Sequence, residues 1–121
     1  MAEHNELGSS GEGIARDYLS RNGYDILETN WRSGKYEIDL IARIGKQLVI
    51  AEVKTRCVNY LVEPEAAVTS EKQKLLIRAA NAYVQRFQYD LDVRFDIISV
   101  VIAKKEHKIR HIIDAFYPTL R

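Results

Sequence analysis

The segment Gln47-Leu48-Val49-Ile50-Ala51-Glu52-Val53-Lys54 limits the fold more than any other part of the chain. Successive side chains of a strand point to opposite faces, so a continuous apolar run needs cover on both sides. The chain must therefore build a sheet with this strand inside it and further elements packed on each face. The run ends in Glu52 and Lys54, two ionisable groups that fall on one face because they stand two residues apart. A buried strand that delivers charges at its end is a means of holding chemistry on a rigid support.

The rest of the chain supplies the covering elements. Leu7, Gly11, Ile14, Ala15, Tyr18 and Leu19 recur at helical spacings and predict an amphipathic helix from about Asn5 to Asn22, stopped by Asn22-Gly23. Tyr24 to Trp31 and Tyr36 to Ile44 read as strands, with Gln47 to Lys54 as a third. Cys57 to Thr69 reads as a loop with one helical turn at Pro64 to Ala67. Ser70 with Gln73 forms a capping-box pattern, and Leu75, Leu76, Ala79, Ala80, Tyr83, Val84 and Phe87 continue a second helix. Val93 to Ala103 and Ile109 to Ala115 complete the strands, separated by a polar turn at Lys104 to Lys108. The order αβββαββ predicts an α/β fold, a mixed sheet flanked by helices.

At 121 residues the chain fits one domain, 1–121, large enough for a core of its own. Eighteen basic against seventeen acidic side chains leave a net charge of +1, so no global field points to a polyanionic partner. Between Thr29 and Arg56, however, Arg32, Lys35, Arg43, Lys46, Lys54 and Arg56 outnumber Glu37, Asp39 and Glu52. Cys57 is the sole cysteine, which excludes an internal disulfide and a usual zinc site. The start of the chain lacks a basic-then-apolar signal, and no stretch suits a membrane span, so a cytoplasmic protein is expected.

Gly45-Lys46 suits a two-residue type II′ hairpin turn between the second and third strands. With Ile44 facing Gln47, the same register sets Asp39 opposite Glu52 and Glu37 opposite Lys54. Like charges opposed across a sheet destabilise it, so the acid pair needs a reason to be there. Magnesium or manganese is one, because a hard cation takes one or two carboxylates and leaves its other positions to water and phosphate. Such a cation makes water a better nucleophile and offsets charge on phosphorus oxygens, the two needs of phosphodiester hydrolysis. Lys54 would orient the attacking water or stabilise the crowded phosphorus. In a chain of this composition acid-x-Lys occurs roughly once by chance. It occurs twice, and only Glu52-Val53-Lys54 ends an apolar strand, whereas Glu106-His107-Lys108 falls in the charged turn.

Glu37-Ile38-Asp39-Leu40-Ile41 followed by Glu52-Val53-Lys54-Thr55-Arg56 resembles the PD-(D/E)xK nuclease superfamily. Leu7-Gly8, Gly11-Glu12, Ala15, Tyr18-Leu19, Gly23-Tyr24, Asn30-Trp31-Arg32, Val68, Lys72 and Arg94-Phe95-Asp96 extend the likeness to the YraN-like family of bacterial proteins, over nearly the whole chain. Tyr36 stands where that family usually has glycine. The family is a distant relative of archaeal Holliday junction resolvases. The resemblance implies a restriction-endonuclease-like core, catalytic Asp39, Glu52 and Lys54 with metal on the two acids, and Glu12 as the helix carboxylate that completes the site. It also implies a homodimer.

Other readings of the same residues stand beside these. Glu12 lies at the border of the apolar arc and serves equally as a helix-start acid. Glu37 is as well suited to pair with Lys54 as to bind metal. Lys72, Arg32, Lys35 and Arg56, the last favoured because it adjoins Lys54, are candidate phosphate contacts or solvated cations. Arg94 and Asp96 share a strand face and can pair. His4, His107 and His111 read as surface histidines, Cys57 as a packed thiol, and Trp31 or Tyr60 as core residues or base-stacking platforms. The expected activity is a metal-dependent endonuclease acting on nucleic acid, DNA above all, branched or single-stranded. The alternatives are a nucleic-acid-binding adaptor that keeps the nuclease fold without its activity, and a protein-interaction module.

Overall fold

A computed structural model describes residues 3–57, 68–103 and 106–118, with side chains from residue 11 onward except that of Cys57. Helix α1 (Glu3–Arg21) is followed by strands β1 (Asp25–Ser33), β2 (Tyr36–Ile44) and β3 (Gln47–Cys57). Helix α2 (Ser70–Phe87), β4 (Asp92–Ala103) and β5 (Glu106–Phe116) complete the order αβββαββ. The five strands form one sheet in the order β1-β2-β3-β4-β5, antiparallel at every junction except β3–β4, which is parallel. This is the mixed α/β architecture expected, with the arrangement of a restriction-endonuclease-like core.

The apolar run of β3 lies at the sheet's centre and feeds both cores. Leu48 and Ile50 pack with Leu76, Ala79, Ala80 and Tyr83 of α2. Val49, Ala51 and Val53 pack with Ala15 and Leu19 of α1. Alternation along one strand therefore separates an α2 side from an α1 side, and each helix covers one of them. Fully burying a leucine or isoleucine contributes about 1.5–3 kcal/mol, so these two clusters hold the layers together.

Several boundaries differ from the sequence expectation. The cap of α2 is Thr69, whose hydroxyl accepts from the Lys72 amide at 3.2 Å, with Ser70 already inside the helix. Gln73 instead donates to the Val68 carbonyl. Threonine and serine both cap by hydroxyl, and position relative to the first turn decides between them. Glu106 to Lys108 belong to β5, not to a turn, because Ala103 pairs with Glu106 and Val101 with Lys108. On this edge strand charged side chains meet water while the backbone still bonds its neighbour. Leu75 and Phe87 are exposed, the Phe87 ring resting against Tyr83 at 4.8 Å between centroids. The helical turn expected at Pro64 to Ala67, and Tyr60, lie outside the described residues.

Candidate active site at the open end of the central hairpin

The β2–β3 hairpin turns at Gly45-Lys46 with Ile44 paired to Gln47, and Gly45 takes the positive φ of 57° that its turn requires. The ladder runs outward only as far as Leu40 and Ala51. Beyond it Asp39 Oδ2 accepts the Val53 amide at 2.9 Å, so a side chain does what the next backbone rung would do. The strands part where the acids begin.

A second irregularity explains where Asp39 goes. On β1 and β2, Thr29 pairs with Leu40 and Trp31 with Ile38, which brackets Asn30 opposite Asp39. Leu40 lies in the α1 cluster and Thr29 lines a small cavity with α1 residues, whereas Ile38 and Trp31 pack in the α2 cluster. Residues two apart in a regular strand share a face. Here both strands change face across one rung, and Asn30 and Asp39 sit at the change. Asn30 has φ 50°, the left-handed conformation that lets β1 turn without losing register.

Glu52 projects on the α2 side, in alternation with Leu48 and Ile50, and is 5% exposed. It is close enough to Asp39 for the two carboxyls to act on each other, and Lys72 Nζ of α2 comes to 3.6 Å from Glu52 Oε2. Burial, then the Asp39 carboxyl, push the Glu52 carboxyl up to about 8; Lys72 and Lys54 oppose this without cancelling it. Glu12 approaches from α1. Burial and the Asp39 charge raise its pKa, Glu37 adds to this, and a hydrogen bond with Asn30 pulls the other way. Its Oε1 is buried and has no hydrogen-bond partner. A Cβ on the adjoining Gly11 would lie 2.9 Å from Thr55 Cβ and collide with Thr55 Oγ1, so the missing side chain lets α1 sit directly on β3. Asp39 thus lies between the two other acids, its charge acting on Glu52 of β3 and on Glu12 of α1.

The sequence profile of the family described as "Uncharacterised protein family UPF0102" matches residues 11–100. The chain belongs to UPF0102. It is 50% identical to a UPF0102 protein of Bacteroides thetaiotaomicron over 120 residues, 99% of each chain. Identity is 45% to one from Parabacteroides distasonis over all 121 residues of both, and 50% to one from Flavobacterium psychrophilum over 117, 97% of this chain and 98% of that one.

In this UPF0102 chain the other candidate cations are dispersed. Arg32 Nη2 pairs with Glu37 Oε2 at 2.7 Å, so the partner of Glu37 is Arg32 on β1 rather than Lys54 on β3, from which the parting of the strands removes it. Lys35 is exposed in the β1–β2 turn. Arg56 folds back to donate to the Thr55 carbonyl at 3.0 Å. Lys72, read as a phosphate contact or a solvated cation, has instead an acidic partner in the site. Among the described residues no group of three or more His, Cys, Asp or Glu side chains forms a cation cage by itself. No described helix is long and apolar enough to cross a membrane.

His111 is not a surface residue: its side chain is 5% exposed, with Nε2 2.6 Å from Asp96 Oδ2 and Nδ1 2.9 Å from the Tyr18 hydroxyl. The expected Arg94–Asp96 pair is present and bidentate, at 2.9 and 2.8 Å. Arg94 also donates to Tyr24 and Gln47, and the Asp114 amide to Asp96. Burial alone would raise the Asp96 carboxyl, but His111, Arg94 and the Asp114 amide together hold it below its ordinary value. The sequence signal for this network was Arg94 and Asp96 on one face; His111 gave none, because the β4–β5 register decides its partners.

Proposed function

We propose that this chain is a magnesium- or manganese-dependent endonuclease that hydrolyses phosphodiester bonds of nucleic acid, DNA above all, branched or single-stranded. The observation that carries the reading is the Asp39–Glu52 pair at the parted end of the hairpin, where Asp39 takes the Val53 amide and Glu52 is buried, each carboxyl acting on the other. Such an arrangement costs stability. A hard dication would relieve it, and the donors are all carboxylate oxygens, the ligand type such cations prefer. Glu12, with a buried oxygen lacking a partner, adds a further acidic group beside Asp39. One or two carboxylates suffice for magnesium, since water and phosphate oxygens complete its shell.

When bound, the cation supplies easier ionisation of water and compensation of charge at the phosphorus. The chain's own residues supply position. Asp39 is fixed by the Val53 amide and Glu52 by burial, so both are held before substrate arrives. Lys54, on the face of Glu52, stabilises the negative charge that builds during attack. Lys72, the partner of Glu52 in this structure, would be left to hold a backbone phosphate with Glu52 committed to a cation, as would Arg56, Lys35 and Arg32. A two-fold dimer belongs to the same proposal, and a monomer by light scattering at working concentration would count against it.

The test is cleavage of plasmid, single-stranded and branched DNA in magnesium or manganese. Asp39→Asn or Glu52→Gln should lower the rate at least on the order of 100-fold. Undiminished metal-dependent cleavage by either variant in clean protein would refute the assignment. A second reading, a nucleic-acid-binding adaptor without catalysis, is favoured by the Lys72–Glu52 contact, which partly neutralises the site from within. Salt-dependent DNA binding with no cleavage in any metal would establish it.

A further inference from the structure

We infer that Asn30 is a positioning residue for the acidic site, acting through Glu12, an inference that rests on the cation reading of that site. Three observations meet at this residue. Asn30 is bracketed opposite Asp39 at the rung where β1 and β2 change face. Its backbone is left-handed, φ 50°, a conformation that asparagine tolerates better than most residues and that persists where its surroundings enforce it. Its side chain lies beside Glu12, with which it lines one cavity of about 140 Å³ together with Gly13, Arg16, Thr29 and Leu40.

The two roles reinforce each other. The left-handed corner takes β1 from the α1 side to the α2 side in one residue and leaves Asp39 at the change of face. The side-chain amide stands in the same cavity as Glu12, whose Oε1 is buried without a partner, and so limits where that carboxylate can turn. A glutamate on a helix has three rotatable bonds and would otherwise turn to water. Residues that hold a ligating side chain in this way typically contribute 10–100-fold to metal affinity.

Asn30→Gly separates the roles, because glycine accepts the left-handed backbone and lacks the amide. Mn2+ binding is measured by calorimetry on the full chain without substrate, for wild type, Asn30→Gly, Glu12→Gln and the double variant, with melting temperature followed for each. Asn30→Gly is expected to weaken Mn2+ binding roughly 10-fold or more while melting close to wild type. In the Glu12→Gln background the same change should add little, since Asn30 acts through Glu12. An Asn30→Gly protein that binds like wild type, or a loss of equal size in both backgrounds, overturns the role of Asn30 and leaves the cation reading standing. Wild type that binds no Mn2+, alone or with DNA present, overturns both.

Discussion

Glu52 is the residue at which packing and chemistry conflict most openly. Its carboxyl has an ordinary value of 4.5 and is pushed up to about 8, so near neutral pH the folded protein holds a proton that the unfolded chain would release. The stabilisation this gives is complete below about 4.5 and is lost as pH rises through about 8. In chelator, thermal melts should fall by several degrees over that window, and Glu52→Gln should flatten the fall. Saturating Mn2+ should also flatten it, because the cation replaces the proton. A fall of the same size in wild type, variant and metal-loaded protein would show that another group is responsible. The acid pair itself was legible from the hairpin register, since the turn at Gly45-Lys46 sets Asp39 against Glu52. The parting of the strands was not, because it depends on the Asp39 side chain taking the Val53 amide in place of a backbone rung.

At the scale of the elements, the site depends on how closely α1 approaches β3. Gly11 makes that approach, and the neighbour a Cβ would meet is a β-branched threonine whose own Cβ cannot rotate away. Gly11→Ala should therefore lose about 1–3 kcal/mol to overpacking, offset in part by alanine's better helix propensity. It should also weaken Mn2+ binding by carrying Glu12 away from Asp39. Urea unfolding and a metal titration on the same preparation check the two effects, and an unchanged variant in both would refute the close approach. Helix and strand periodicity revealed the elements well, since α1 and α2 each bury one clear stripe, while the apolar runs of β2 and β3 feed both clusters. What it missed lay at ends and edges. Thr69 rather than Ser70 caps α2, and Glu106 to Lys108 extend β5, because backbone pairing on an edge strand leaves no apolar trace in the sequence.

For the molecule as a whole, the two faces of the sheet carry different polar groups. The α2 side holds Glu52 and Lys72; the α1 side holds Arg94, Asp96, His111 and the two tyrosines, which join β4, β5, β3 and the segments at both ends of the α1–β1 connection. Asp96 is fully buried. Removing its partner by Arg94→Ala should cost about 3–5 kcal/mol, the penalty for an uncompensated interior charge, whereas a surface change such as Lys35→Ala should cost under about 0.5 kcal/mol. Equal denaturation midpoints for the two variants would contradict a structural role for the network.

Cation binding by Asp39 and Glu52 is best tested by calorimetric titration with Mn2+ at pH 7 in two buffers of different ionisation enthalpy. The wild-type chain should bind with uptake of about one released proton by the buffer, the proton of Glu52, and Asp39→Asn should lose that binding. Binding that is equal in Asp39→Asn, or absent from wild type even with DNA present, would contradict it.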